Sequence, residues 1–186
     1  MKRDDRRQKL ESFGRAPALL SAALRQFPKK MWLYKPSDAR WTIHEIILHL
    51  ADSEASAYIH SRRFIAEPGS HAPQFDAARW ANSLGYFHQS TNEALEIIRR
   101  LRKMTYQLLA ALPEHVWEFE GAHPRNAEIS LDRWIEIQER HIPHHIDQMR
   151  ENYDQWLQTH PPRRRPSMPR ASRVPPGFIS MPVETL

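Results

Sequence analysis

Apolar residues recur every three to four positions in four stretches of the chain, and turn-forming residues close each stretch. The first, about 8–27, sets Leu10, Phe13, Leu20, Ala23, Leu24 and Phe27 on one side and stops at Pro28. The second opens at Trp41-Thr42. Thr42 with Glu45 three residues on makes a capping box, and Ile43, Ile46, Ile47 and Leu50 follow in a pattern that runs to about Ala66, before Pro68-Gly69. The third, roughly 86–112, carries Ala94, Ile98, Leu101, Thr105, Leu108 and Leu112 at bundle spacing and ends at Pro113. The fourth starts from Ser130 as N-cap and runs through Leu131, Trp134, Ile135, Ile142, Met149, Tyr153 and Trp156 to about Gln158. No segment alternates apolar and polar residues between hairpin turns, so the pattern predicts an all-α body. The 67–85 connection, with Pro73, Phe75 and Trp80, is long for a helix–helix loop; such segments often form lids or carry a short helix, and this one is expected to shape an entrance or to plug one end of the bundle.

Composition narrows this picture. A chain of 186 residues with 40% hydrophobic residues, six Trp and seven Phe supplies one domain's core, expected over 1–160. After His160 the sequence holds seven of the fifteen prolines and loses all periodicity, which predicts an extended or disordered basic tail over 161–186. The net charge of +5 sits at the ends, since residues 8–160 carry 18 bases against 19 acids. A folded nucleic-acid surface would need its bases on the body, so nucleic acid is not the expected partner. The apolar runs fall short of a membrane span, and the charged N-terminus leads into no apolar signal core; a cytoplasmic location is expected. With no cysteine, site chemistry is left to imidazole, carboxylate and hydroxyl groups.

The fourth stretch contains ERHIPHHIDQM, which places His141 and His145 one turn apart on one helix face, in line with Trp134 and Gln148 and with Leu131 and Gln138. Two imidazoles so placed chelate one ion or form a hydrogen-bonded core pair. His144 projects about 100° from His145. Pro143 removes the bond to the Glu139 carbonyl and should kink the helix between the two histidines. In the second stretch, WTIHEIILHLADSE, His49 stands at the edge of the apolar stripe and needs a partner if buried. Glu45, Asp52, Glu139 and Gln148 lie within reach of these histidines by helix position, with Glu45 better read as a cap. The remaining histidines, His44 and His60 among them, are expected at the surface or in interfaces, and the run Arg99-Arg100-Leu101-Arg102-Lys103 as a solvated helix face.

Together the two histidine segments resemble the DinB/YfiT-like superfamily: a Pro36-to-Trp41 lead into a helix carrying His-Leu-Ala-Asp-Ser-Glu, then a last helix with His-x-x-His-His-x-x-Gln. The resemblance spans about residues 8–158. It implies a four-helix up-down-down-up bundle, and a divalent metal ion held by one histidine of the second helix and an i, i+4 pair of the last. By matching positions these are His49, His141 and His145. Three imidazoles suit zinc, nickel, copper or ferrous iron, with zinc or nickel expected, and leave coordination positions open for water or substrate. The resemblance further implies a metal-dependent enzyme acting on a small molecule, either a hydrolase or a transferase that uses a low-molecular-weight thiol, and pairing as a homodimer. Phe178, Ile179 and Met181 of the tail are candidates to pack on a second subunit. The alternative is a non-catalytic, stress-associated binding module in which the metal is structural and the tail engages a partner.

Overall fold

The computed structural model describes residues 1–70, 76–123 and 127–161. Its elements are α1 (Arg3–Leu24), α2 (Ile43–Ala66), a short α3 (Ala77–Ser83), α4 (Thr91–Ala110), a hairpin of β1 (Glu120–His123) and β2 (Ala127–Ser130), and α5 (Leu131–Thr159). The tail, with Phe178, Ile179 and Met181, lies outside the described residues, as do Pro73 and Phe75 of the 67–85 connection.

Local signals place the helix starts. Thr42 Oγ1 accepts from the Glu45 amide at 3.0 Å and the Glu45 carboxylate accepts from the Thr42 amide at 2.7 Å, so the capping box of α2 is complete. Ser130 caps α5 by accepting from the Arg133 amide, and Ser90 caps α4 in the same way from Glu93. Helix α5 runs on through Pro143.

Side-chain pairs set the directions. Helices α1 and α5 run parallel, with Arg6 on Asp132, Phe13 on Trp134 and Phe27 on Tyr153. On α2 and α5 the pairs run oppositely: Asn152 donates to the Trp41 carbonyl, His49 meets His145, Ser53 meets His141 and His60 meets Trp134. Helix α2 also packs along α4, and α4 along α1, which gives the expected up-down-down-up bundle with α1 and α2 diagonal to one another. The seam between α2 and α5 is the sparsest of the four. The buried side chains fall into two apolar clusters. One is built on Ile46, Ile47, Leu50, Ile142, Ile146 and Met149, the other on Phe13, Phe64, Leu109, Leu131, Trp134 and Ile135. Between them lies a polar layer of Ser53, Glu54, Arg102, Thr105, Gln138 and His141.

Four local expectations change. Helix α1 starts at Arg3, five residues early, because Arg6 is buried against Asp132 at 2.5 Å and against Glu114, partners more than a hundred residues away. The 67–85 connection carries the short helix α3, and the third stretch, read from about 86, opens instead with a 3-10 turn over Tyr86–His88, so α4 proper begins at Thr91. A two-stranded antiparallel hairpin precedes α5; β1 is too short to show alternation, and its Gly121 is pressed so close to the Phe64 ring that a Cβ would lie 2.9 Å from it. The buried stripe of α4 runs through Ala94, Ile98, Arg102, Thr105 and Leu109, rotated from one through Leu101 and Leu108.

Candidate metal centre

Each of the three histidines is set by the helix that carries it. His49 lies nearly two turns into α2, 5% exposed, with the Trp41 ring against it at 4.8 Å between centroids. Trp41 is held in turn by Asn152 of α5, which donates to its carbonyl at 2.8 Å, so the two helices are tied where His49 projects between them. His141 and His145 project from successive turns of α5 into the same gap. His145 Nδ1 lies 2.8 Å from Gln148 Oε1, and the Gln148 amide nitrogen lies 3.0 Å from His144 Nε2. An amide oxygen only accepts, so His145 carries its proton on Nδ1 and directs the Nε2 lone pair into the gap. His141 Nδ1 faces Ser53 Oγ at 3.5 Å and its Nε2 faces the other two rings.

The result is a cluster of nitrogens. His141 Nε2 lies 3.1 Å from His145 Nε2 and 3.4 Å from His49 Nε2, and the three ligand nitrogens all fall within 4.8 Å of one another. Nitrogens bonded to one ion at about 2.0–2.1 Å stand roughly 3.0–3.4 Å apart, so two of the separations already match and a small ring rotation closes the third. Burial lowers the pKa of all three: His49 to about 3, His141 to about 2 and His145 to about 4. Desolvation is the main cause, with repulsion from neighbouring imidazoles adding to it and the Gln148 contact partly opposing it at His145. Neutral imidazoles with converging lone pairs are the protonation state and donor set that a divalent cation requires, so the residues fit such an ion.

The cluster opens onto a cleft of about 1130 Å³ along the α2–α5 seam, lined also by Arg40 and Trp41 and, at the start of α3, by Asp76 and Ala77. Behind it, Glu54 and Arg102 form a buried ion pair, each at most 2% exposed. Arg102 also donates to the Gln138 carbonyl at 3.2 Å and lies 3.9 Å above the Phe13 ring.

The sequence profile of the DinB superfamily matches residues 12–149. The chain belongs to the DinB superfamily. Two curated proteins are similar to it. One, from Oceanobacillus iheyensis, bears the name "putative metal-dependent hydrolase" and is 32% identical over 106 residues, 57% of this chain and 61% of its own. The other, YfiT of Bacillus subtilis, bears the same descriptive name and is 24% identical over 110 residues, 59% of this chain and 62% of its own. The matches thus span about three-fifths of each relative. The solved structure of YfiT, described as having an unusual four-helix bundle topology, superposes with a TM-score of 0.77 at 20% identity, over 84% of this chain and 90% of that one. The two share a fold.

Within this DinB bundle, the three histidines singled out by spacing and resemblance come together, and Gln148 stands behind one of them. The other candidates do different work. Glu45 caps α2; Asp52 accepts from the Tyr86 hydroxyl at 2.6 Å; Glu139 pairs with Lys9 at 3.2 Å. Two expectations are overturned. His60 is buried, its ring 4.7 Å from Phe64, and Arg102 is the most deeply buried charge of its basic run. Arg102 follows Ile98 by four and precedes Thr105 by three, so its stripe position was the available signal. His44, half-buried, reaches the Tyr86 carbonyl at 2.8 Å.

Proposed function

We propose that this chain is a metal-dependent enzyme of hydrolase type, with a divalent ion held by His49, His141 and His145 at the wall of the α2–α5 cleft. The observation that carries the reading is the convergence of three neutral imidazole nitrogens on a point that remains accessible from a cleft. Three protein ligands leave positions for water or substrate, and a bound ion of this kind lowers the pKa of its water to about 7 or polarises a carbonyl. The chain's own groups do the rest. Gln148 fixes the His145 tautomer, Trp41 and Asn152 orient His49, and the apolar clusters on both sides keep bulk water from the buried faces of the rings. The names borne by the two relatives support hydrolysis. A small-molecule substrate suits the cleft's volume.

Finer assignments belong to the same proposal: zinc or nickel as the ion, a low-molecular-weight thiol as co-substrate if the reaction is a transfer, and a homodimer as the assembly. Activity against a panel of small esters and amides should vanish on chelation and return with one metal. A requirement for added thiol would replace hydrolysis by transfer. The cleft also separates this reading from the alternative of a structural metal. Chelation should leave the helical circular-dichroism signal in place, because the two apolar clusters do not depend on the ion; unfolding on chelation would favour the non-catalytic module.

A further inference from the structure

The folded body is close to neutral, with 18 bases against 19 acids over residues 8–160, but one of its faces is not. Helices α1 and α4 run antiparallel and meet on the side of the bundle away from the α2–α5 cleft, to which neither helix contributes a residue. A groove of about 620 Å³ follows their seam. Small residues of α1 keep it low: a Cβ on Gly14 would stand 2.9 Å from the Tyr106 ring, and Ala18 follows one turn on. Four long basic side chains line the same groove, Arg15 and Arg25 from α1 and Arg99 and Lys103 from α4, and all four are exposed.

The carboxylates of this face are already engaged. Glu11 accepts from the Tyr106 hydroxyl at 2.8 Å, and Glu96 is shared between Arg99 at 2.6 Å and Arg100 at 3.3 Å. Among the described residues Arg15, Arg25 and Lys103 have no carboxylate within ion-pairing distance; Arg15 donates instead to the main-chain carbonyl of Glu11 at 3.2 Å. Arg99 and Lys103 stand one turn apart on α4, an arrangement of like charges that destabilises a helix. An anion lying in the groove would relieve that repulsion and meet the three unpaired cations.

We propose that the α1–α4 groove binds a linear polyanion, a chain of linked phosphates, through Arg15, Arg25, Arg99 and Lys103. The cations are strung out and not gathered round a point: Arg15 to Arg25 is a rise of about 15 Å, and Arg99 to Lys103 on the facing helix about 6 Å. A compact anion meets one or two of them, whereas a chain meets them in turn. Three of the four are guanidinium groups, whose planar fork takes phosphate oxygens two at a time. Single-stranded nucleic acid carries a similar row of charges, but its sites add aromatic platforms for the bases. The aromatic ring that lines this groove, Tyr106, is half-buried and tied to Glu11, so a phosphate chain without bases fits better. The chain's own tail, with five bases to one acid over 161–186, has the wrong sign to be the occupant. The groove is a second site, independent of the metal reading.

The test is isothermal titration calorimetry of the full chain with sodium tripolyphosphate at low salt. Saturable binding is expected, with orthophosphate weaker by about tenfold and with an affinity that falls as salt is added. Arg25→Gln combined with Lys103→Gln should weaken tripolyphosphate by about tenfold, the loss of one charge-assisted contact or more. Both residues are exposed, so the thermal midpoint of this variant without ligand should stay near that of the parent. Arg150→Gln, which removes an exposed base of α5, should leave the affinity unchanged. Phosphate chains also coordinate metal ions, so the titration is repeated on His141→Ala, where binding should persist. Absence of saturable binding, orthophosphate bound as tightly, loss of binding in His141→Ala, or equal weakening in Arg150→Gln would overturn the site. Tighter binding of a glutamate peptide or an oligothymidylate of matched charge would also overturn it, in favour of an acidic protein segment or a nucleic acid.

Discussion

Helix α2 faces two neighbours in different ways. Against α4 it packs closely, and the polar atoms it buries there, Glu54 with Arg102, are matched charge for charge inside the bundle. Against α5 it packs sparsely, and what it presents is His49 and Ser53, facing His141 and His145 across a cleft. Both seams carry polar groups at the same level between the two apolar clusters. One is closed by an internal partner; the other leaves nitrogen lone pairs pointing at a common space. Buried polarity in this bundle is thus of two kinds, and of these two seams only the second leaves bonding capacity for something outside the chain.

The largest effect should come from breaking the closed seam. Glu54→Ala leaves Arg102 as an unmatched buried cation and is expected to cost about 3–5 kcal/mol, read by urea unfolding. Replacing both partners, as Glu54→Leu with Arg102→Met, should recover most of that loss, since a well-packed apolar pair often substitutes for a buried ion pair. If the single change costs no more than the double, the seam is not organised around the ion pair.

The open seam should respond to acid. Its three histidines are neutral in the folded chain down to pKa values of about 3, 2 and 4, while in the unfolded chain each titrates near 6.5. The unfolded state therefore binds more protons below that point. The stability these groups contribute is complete above pH 6.5 and is lost as pH falls toward the folded values. In metal-free protein the loss by pH 5.5 should be about 1 kcal/mol for each histidine, and His141→Phe should remove its share. Asp132 on the closed α1–α5 face acts later. Burial alone would raise its carboxyl, but hydrogen bonds from Arg6 and the N-terminal ammonium outweigh it and hold it below the ordinary aspartate value, so its contribution is lost only under stronger acid. A melting temperature independent of pH between 7.5 and 5.5 would contradict the buried neutral histidines.

The smallest effect belongs to the caps. Thr42→Ala removes one half of the α2 capping box and should cost about 1 kcal/mol. It should not alter metal affinity by more than a fewfold, because His49 lies nearly two turns inside the helix and is oriented by Trp41. A large loss of metal binding in this variant would show that the open seam is held by the helix start.

The same contrast explains what the sequence makes legible. Capping boxes, stop signals and the i, i+4 histidine pair are local, and they lead directly to α2, α5 and two thirds of the candidate centre. His49 is legible through its segment's resemblance to a known pattern, not through spacing, because its partners stand 92 and 96 positions away. Arg102 is misread, and Arg6 left outside the first helix, for the same reason. A lone basic residue in a charged run signals solvent unless its carboxylate is known, and Glu54 and Asp132 are distant in the chain. The hairpin is missed because strands of four residues, one with a glycine pressed on Phe64, carry too few positions to show a period.

Metal content of the purified chain, measured beside His49→Ala, His141→Ala, His145→Ala and His144→Ala, tests the central claim most directly. One divalent ion per chain should be retained by the parent and by His144→Ala and lost from each of the other three. Retention of the ion by His49→Ala at the parent's affinity, or an equal loss in His144→Ala, would contradict a centre built from two helices.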